Sequence, residues 1–300
     1  MRTSLLFVVL LCGIVAGCRP EPAAPAVAPA PAAAPAPPQP ASTPEAAVTV
    51  LVERLLARDG VGYARLALPP PLHAEVQAAW REGRSRWPLD ELPLHTRLPR
   101  MLAALSAKDA EAQLNATFRR QFAGADADID DAIRTLDQFG RQYVASAPDY
   151  TEGERDHLRQ LIGAASSWAL QAPLSDAARA RGLFAGLTRA ARDAGIDEAD
   201  DFARLGMEPT LARLSPFLGA LSEGFATHYG LDLRAALASV VVERVEREGD
   251  QARVHVAYRF AGKPIRLVVP VRRVDGHWYL EGQMRDARRT LDSEQAPAKD

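Results

Sequence analysis

The stretch "QARVHVAYRF", residues 251–260, alternates apolar side chains with mostly polar ones. The first set comprises Ala252, Val254, Val256, Tyr258 and Phe260. The second set comprises Arg253, His255, Ala257 and Arg259. Because successive side chains of a strand point to opposite faces, this alternation predicts a strand with one buried face. A sheet with one apolar face needs a cover, which the rest of the chain must supply.

Three further β-rich segments surround this strand. They are "SVVVERVER" (239–247), "PIRLVVPVRRV" (264–274) and "HWYLEG" (277–282). Turn sequences separate the segments, among them Ala261-Gly262-Lys263 and Asp275-Gly276. We therefore expect an antiparallel meander of four strands in sequential order over residues 239–282, packed on helices.

Residues 45–238 are predicted to be mainly helical, since they are rich in Ala, Leu, Arg, Asp and Glu. The first helix should begin at "STPE", where Ser42 and Glu45 have the spacing of a capping box, and end at Gly60. Further helices are expected near residues 72–86, 175–194, 197–205 and 209–229. The predicted fold class is α+β, a helix-rich domain with a C-terminal four-stranded meander, followed by a polar tail over residues 283–300.

Two helices carry residues of particular interest. In the first, five large side chains share one face that we expect to lie in the core: Ile129, Ile133, Leu136, Phe139 and Tyr143. In the second, Thr151 and Glu154 form a capping-box pair. Glu152, Glu154, Asp156 and His157 cluster in that first turn, and a solvated helix start explains them.

The N-terminus has the plan of a secretory signal. Arg2 supplies positive charge and Leu5 to Val15 form an apolar run of about 11 residues, too short to span a bilayer as a helix. Val15, Ala16, Gly17 and Cys18 resemble the lipobox of bacterial lipoproteins. The resemblance implies that a peptidase recognises residues 15–17, removes residues 1–17 and leaves Cys18 carrying lipid on its thiol and its amine. An ordinary signal peptide cut near Ala16 is the alternative.

The compartment follows from the same segment. A residue other than Asp after the cysteine, here Arg19, favours the outer membrane in enterobacterial lipoproteins. We therefore expect a lipid-anchored protein of the outer membrane that faces the periplasm. Residues 18–44 should form its tether, because Arg19 to Pro44 hold 10 Pro and 10 Ala in 26 residues.

Composition narrows the classes of function. Without residues 1–17 the chain has 35 Lys plus Arg and 38 Asp plus Glu, a net charge of about −3, which argues against a nucleic-acid partner. Its one remaining cysteine is Cys18, so lipidation there excludes disulfides and thiol catalysis. The membrane, reached through that lipid, and a protein of the envelope are the expected partners.

The two ends of the folded part resemble the cone-shaped α+β fold of nuclear-transport-factor-like domains. The resemblance rests on "PEAAVTVLVERLLARDGVGYARLAL" (44–68) as an early helix and on "VRRVDGHWYLEG" (271–282) as the closing strands. It implies a ligand pocket between the helices and the sheet. The helical stretch between these parts would then be a large insertion. The other arrangement is a helical domain followed by a small sheet, without such a pocket.

Metal and catalytic motifs are weak. "DADIDDAIRTLD" (126–137) places Asp at four positions of a calcium-loop template, but Asp131 stands where glycine is required, and a helix start explains the acids. No two histidines have zinc-helix spacing, and His255 should share a solvated strand face with Arg253 and Arg259. We found no nucleophile elbow or phosphate loop. No catalytic residue, metal ligand or cofactor is therefore predicted.

A basic segment accompanies the strands: Arg253, Arg259, Lys263, Arg266, Arg272, Arg273, Arg285, Arg288 and Arg289. It either contacts anionic lipid head groups or an acidic partner, or it forms the solvent-exposed face of the sheet, which is the favoured interpretation. The leading hypothesis is a non-enzymatic binding or assembly module. A small-ligand-binding cone domain and a hydrolase without a recognisable motif are the alternatives. An exposed apolar patch on a helical face would indicate protein binding.

Overall fold

The computed structural model describes residues 39–92, 95–148, 150–196 and 201–292. In these ranges the chain forms twelve α-helices, two short 3-10 helices and one four-stranded antiparallel sheet. This confirms the α+β class, with a helix-rich part followed by a C-terminal meander. The lipobox residues, most of the tether and residues 293–300 lie outside the described ranges.

The helices are α1 Pro44–Leu56, α2 Gly60–Ala67, α3 Pro70–Arg81, α4 Leu98–Ser106, α5 Ala110–Gln121, α6 Asp126–Ser146, α7 Glu152–Ala169, α8 Ala177–Ala194, α9 Asp201–Leu205, α10 Met207–Tyr229, α11 Leu233–Ala238 and α12 Glu281–Asp292. The 3-10 helices are Leu89–Glu91 and His95–Arg97. The strands are β1 Val241–Glu248, β2 Gln251–Phe260, β3 Lys263–Val274 and β4 His277–Leu280.

The first helix differs from its prediction at both ends. Thr43, not Ser42, caps α1, because its hydroxyl accepts the Ala46 N–H at 3.2 Å. Gly60 begins α2 instead of ending α1, and Asp59 caps that second helix through the Gly62 N–H at 2.7 Å. The two caps therefore start separate helices at Pro44 and at Gly60.

The sheet has the predicted order β1-β2-β3-β4. The β2–β3 and β3–β4 hairpins turn at Ala261-Gly262 and Asp275-Gly276, whose positive φ angles of 48°, 77°, 49° and 84° fit the twist of tight hairpins. Val254 lies opposite Val269, and Val256 opposite Leu267, on the face that packs inward. The alternation of residues 251–260 thus predicts the buried face correctly.

Helices cover the inner face of the sheet. α1 crosses it and contacts all four strands, while α7 packs along β3, α11 on β2 and α12 on β3 and β4. Val48 and Leu51 of α1 are fully buried in the same core as Val254 and Val271. The other helices extend this core, with α8 packed against α10, α5 and α4.

The C-terminal segment corrects a prediction. Residues 283–292, expected as part of a polar tail, belong to α12. The helix buries Met284 and Ala287 against the core, and its Thr290 hydroxyl lies 2.8 Å from that of Ser85. The segment is mostly polar, so its few buried positions, which recur at helical spacing, were not recognised from the sequence.

The tether also ends earlier than predicted. Ala41 is buried, and its carbonyl accepts the Trp278 N–H of β4 at 2.9 Å. The chain before α1 therefore continues the hydrogen bonding of the sheet at the edge of β4. Packing at Ala41 places the start of the folded part before Pro44.

A buried polar cluster joins α12 to the helical part. The Trp87 indole N–H donates to the Glu91 carboxylate at 3.0 Å, and the Gln283 side chain also hydrogen-bonds Glu91. Glu91, Gln283 and Asp286 are each 1% exposed. Burial raises the pKa of Glu91 well above its ordinary value, and the nearby Asp286 carboxylate raises it further.

This raised pKa predicts a pH dependence of stability. The folded chain binds a proton at Glu91 that the unfolded chain releases above its ordinary pKa of 4.5, so stability at this group falls as the pH rises. Glu91→Gln is neutral at every pH and can accept the same indole N–H. We expect this variant to reduce the loss of stability between pH 5 and pH 8, measured by guanidinium unfolding. An unchanged loss, equal to that of the exposed control Glu82→Gln, would contradict the expectation.

Candidate functional site

Helix α6 is anchored at both ends. The Ser175 hydroxyl donates to the Asp126 carboxylate at 2.6 Å at its start, and the Arg155 guanidinium donates to the Ala147 carbonyl at 2.9 Å at its end. Asp126 and Asp128 lie in its first turn, where negative charge stabilises the helix dipole. The residues of the calcium-loop template therefore form a helix, as the sequence indicated.

One side of α6 packs against α7. A small cluster of Val144, Tyr150 and Leu158 is buried between the two helices, separate from the main core. At Gly140 the helices come so close that a Cβ atom would lie 3.3 Å from Ile162. The inward face of α6 thus consists of few residues, and α7 is the element with which it packs most extensively.

A second apolar face of α6 lies in solvent. Leu136, Phe139 and Tyr143 are 67%, 64% and 43% exposed, and we call these three residues the α6 stripe. The rings of Phe139 and Tyr143 stack with their centroids 6.3 Å apart. The prediction that this face lies in the core is wrong for these three residues, whereas Ile129 and Ile133 are half-buried. Helical spacing shows which residues share a face but not whether another element covers it.

The charge of α6 is strongly negative. The helix contains five aspartates and two arginines, a net charge of −3. Arg134 pairs with Asp130 and Asp131, and Arg141 pairs with Asp137. The hydrogen bonds from Arg141 lower the pKa of Asp137. The α6 stripe is therefore an apolar surface on an acidic helix.

A cleft of about 660 Å³ lies beside the β2–β3 hairpin. The end of α7, the turn between α10 and α11, and the β2–β3 hairpin form its walls, which include Trp168, Asp232, Arg259 and Lys263. Asp232 caps α11 by accepting the Ala235 N–H at 2.8 Å, and the Trp168 indole donates to the Tyr229 carbonyl at 2.8 Å. The cleft has the size of a small-ligand site.

Carboxylates accompany the basic residues of the strands. Arg266 lies 3.4 Å from Glu243, Arg272 lies 2.9 Å from Glu281, and Arg253 lies 3.5 Å from Glu246. Arg285 of α12 pairs with Glu154 of α7 at 2.7 Å. These ion pairs neutralise much of the basic segment. They favour its interpretation as a solvent-exposed sheet face over a lipid-binding patch.

His157 corrects another prediction. It is 1% exposed instead of solvated, and its Nε2 lies 2.7 Å from the Tyr258 hydroxyl, joining α7 to β2. Burial lowers the pKa of His157 from its ordinary value of 6.5 to about 3. His255, in contrast, is half-buried on the outer face beside Arg244 and Glu246.

The pKa of His157 predicts acid destabilisation. The unfolded histidine binds a proton below pH 6.5 while the folded one stays neutral down to about pH 3, so stability falls as the pH falls through this window. At pH 4.5 the loss at this group is about 2–3 kcal/mol relative to pH 7. We expect His157→Gln to lack this loss when guanidinium unfolding is compared at pH 4.5 and pH 7. The control His255→Gln should retain it, and equal pH dependence in both variants would contradict the assignment.

The sequence-predicted site residues fall in different parts of the chain. Cys18 and its recognition residues Val15, Ala16 and Gly17 precede residue 39 and lie outside the described ranges. Among the described residues no group of three or more His, Cys, Asp or Glu is placed to hold a metal ion. The α6 stripe and the Glu91 cluster were not recognised as sites, since helical spacing carries no signal for exposure and Glu91 is distant from Asp286 in sequence.

Comparison with known proteins adds no assignment. No family model, curated protein or solved structure matches the chain. Within the described ranges, no helix is both long and apolar enough to cross a bilayer.

Proposed function

We propose that the chain is a lipid-anchored protein of the outer membrane that faces the periplasm and acts as a non-enzymatic binding or assembly module. Two features support the proposal: the lipobox-like sequence at Cys18, and an exposed apolar surface on a folded domain. The α6 stripe is the observation that carries it. Large apolar patches on a soluble surface commonly mark interaction sites.

The net negative charge of α6 supports a basic partner. An apolar surface on an acidic helix disfavours an anionic lipid surface, because like charges repel. A basic amphipathic helix of a second protein would place apolar side chains on the α6 stripe and lysines or arginines beside its aspartates. We therefore assign to the stripe a basic amphipathic helix of an envelope protein.

Lipid anchoring is tested by the two cysteines. Cys18→Ser should leave the protein in the soluble fraction, and its N-terminal peptide should carry no lipid mass. Cys12→Ser is the matched control, because residue 12 lies in the removed signal and the product should be identical to the wild type. A wild-type N-terminal peptide that begins elsewhere or lacks acyl chains would refute the anchor.

Docking is tested by photo-crosslinking in intact cells. A benzoylphenylalanine in place of Phe139 should form an adduct with one partner, at a peptide that is basic and amphipathic. The same probe in place of Gln138, an exposed residue on the opposite side of α6, should form none. Equal adducts from both positions, or an adduct at an acidic segment, would overturn the assignment.

Small-ligand binding is a second candidate, favoured by the cleft beside Trp168. Its Arg259 and Lys263 fit an anionic molecule, and the indole offers a flat apolar wall. Native mass spectrometry of the mature protein should then show a reproducible extra mass that Arg259→Ala combined with Lys263→Ala removes. A clean mass for both proteins would exclude this candidate.

A further inference from the structure

Strand β3 extends beyond the strand beside it. β3 spans Lys263–Val274, whereas β4 spans only His277–Leu280 and pairs with β3 from Val271 to Val274. The earlier part of the β3 edge therefore has no strand next to it among the described residues. An uncovered edge offers main-chain N–H and C=O groups that can pair with another extended segment.

The hairpin register shows which groups face this edge. Val274 and His277 flank the two-residue turn and are paired across it, so the main-chain groups of Val274 point toward β4. Because this direction alternates along a strand, the even-numbered residues back to Pro264 point the same way. The main-chain groups of the odd-numbered residues point to the other edge of β3, where they bond β2.

Gln160 of α7 confirms the direction and covers one position. Its side-chain amide accepts the Arg266 N–H at 2.9 Å and donates to the Arg266 carbonyl at 2.9 Å. These are the two bonds that a paired strand residue would make. A primary amide thus substitutes for a peptide group at Arg266, which shows that this edge bonds amide groups from outside the sheet.

Val268 is the next position along the same edge. It lies between the residue that Gln160 covers and the residues that β4 covers, and its side chain is 40% exposed. Pro264 and Pro270, two positions with the same direction, have no N–H. Val268 is therefore the position on this open edge that offers both a donor and an acceptor.

The edge at Val268 opens into a groove of about 320 Å³. The start of α7, including Gly153 and Glu154, forms one wall, and the start of α12, including Gly282 and Arg285, forms the other. Leu280 contributes to an apolar lining, and the Glu154–Arg285 ion pair connects the two walls. The volume is at the lower end of the range for ligand sites, which suits a few residues and not a long strand.

We infer that this groove binds a short extended peptide segment of another polypeptide, added as a strand at Val268. An extended main chain supplies a carbonyl for the Val268 N–H and an N–H for its carbonyl, at the spacing that a strand edge requires. A second copy of β3 is a poorer occupant, since the prolines interrupt continuous pairing. The site is separate from the α6 stripe, which lies on a different helix.

The test uses amide NMR on the mature chain with a defined probe, acetyl-Thr-Val-Thr-Val-Thr-amide. In the free protein the Val268 amide should exchange rapidly with solvent. Saturating peptide should slow its exchange by about tenfold or more, as expected for one new main-chain hydrogen bond. The control peptide acetyl-Pro-Pro-Pro-Pro-Pro-amide, whose five residues have no main-chain N–H group, should leave it unchanged.

Three variants sharpen the test. Val268→Thr keeps the main-chain groups and should bind as the wild type does. Val268→Pro removes the edge N–H without touching the β2 pairing and should lose binding. Gln160→Ala frees the Arg266 groups, so its affinity for the probe should rise several-fold and the Arg266 amide should join the protected set.

Several results would overturn the inference. A Val268 amide already protected in the free protein would mean that its edge is closed. Equal protection by the proline peptide, or unchanged binding by Val268→Pro, would exclude strand addition. Protection that grows with protein concentration in the absence of peptide would assign the edge to a second copy.

Discussion

A chain ended after Leu280 is expected to show no cooperative unfolding transition, whereas a chain ended after Asp292 should unfold like the full protein. The first truncation removes α12, which packs against α3 and the last two strands. It exposes core around Met284 and Ala287 and leaves Glu91 without Gln283. Domains of this kind have only about 5–15 kcal/mol of net stability, so losing one buried helix exceeds the margin.

A point variant separates packing from truncation. Met284 is 3% exposed, and Met284→Ala should lower the free energy of unfolding by about 2–5 kcal/mol. Arg288→Ala, on the exposed side of the same helix, should change it by no more than about 0.5 kcal/mol. Guanidinium unfolding measures both. A chain ended after Leu280 with a wild-type transition, or equal effects of the two substitutions, would show that α12 is not part of the core.

Replacing Leu136, Phe139 and Tyr143 together by serine is expected to abolish partner binding without weakening the fold. Each side chain is more exposed than a core residue, so its loss should cost about 0.5 kcal/mol or less of stability. As anchors of an interface, such residues contribute about 2 kcal/mol each, or roughly 30-fold in affinity. A crosslinker at Ala132, an exposed residue one turn before Leu136 on the same side of α6, provides a readout that leaves the stripe positions free for substitution.

The control for this triple variant is Val144→Ser on the inward face of α6. Val144 is 4% exposed and packs with Leu158, so its replacement should lower stability measurably. The two results together distinguish an interaction surface from a poorly packed core. Strong destabilisation by the stripe substitutions, with adduct formation retained, would show that the stripe is structural.

The sheet was predictable because its signals are local. The alternation of residues 251–260 marks the buried face, and the turns at Ala261-Gly262 and Asp275-Gly276 mark the hairpins. Sequential order then follows from the short connections between strands. The same locality holds for α7, whose predicted capping box of Thr151 and Glu154 is present, with Glu154 accepting the Thr151 N–H at 2.8 Å.

Burial was predicted less well because it depends on distant elements. His157 has charged neighbours in sequence, yet it faces Tyr258 about a hundred positions later. The stripe has the periodicity of a core face, yet α7 covers only the neighbouring side of α6. Met284 stands in a polar segment, yet it is buried in a helix that packs against α3 and the last two strands. In each case burial depends on whether another element packs against the residue, and local composition does not indicate such a contact.

The candidate sites show the same limit. The prediction that a protein-binding module would expose apolar residues on a helix could be stated from the sequence, but the helix that does so could not be named. The open edge at Val268 depends on β4 being shorter than β3 and on Gln160 reaching Arg266. Both are consequences of packing between elements, whereas lipid attachment at Cys18 is a local signal that stays a prediction.

The most direct measurement of the central claim maps a defined helix onto the protein by NMR. A synthetic amphipathic helix of about 15 residues, built from Leu and Lys, should perturb the amides around Leu136, Phe139 and Tyr143, and added salt should weaken its binding. A matched helix of Leu and Glu should not perturb them. Perturbation centred elsewhere, or equal binding of the acidic helix, would contradict the account of α6 as the docking surface for a basic partner.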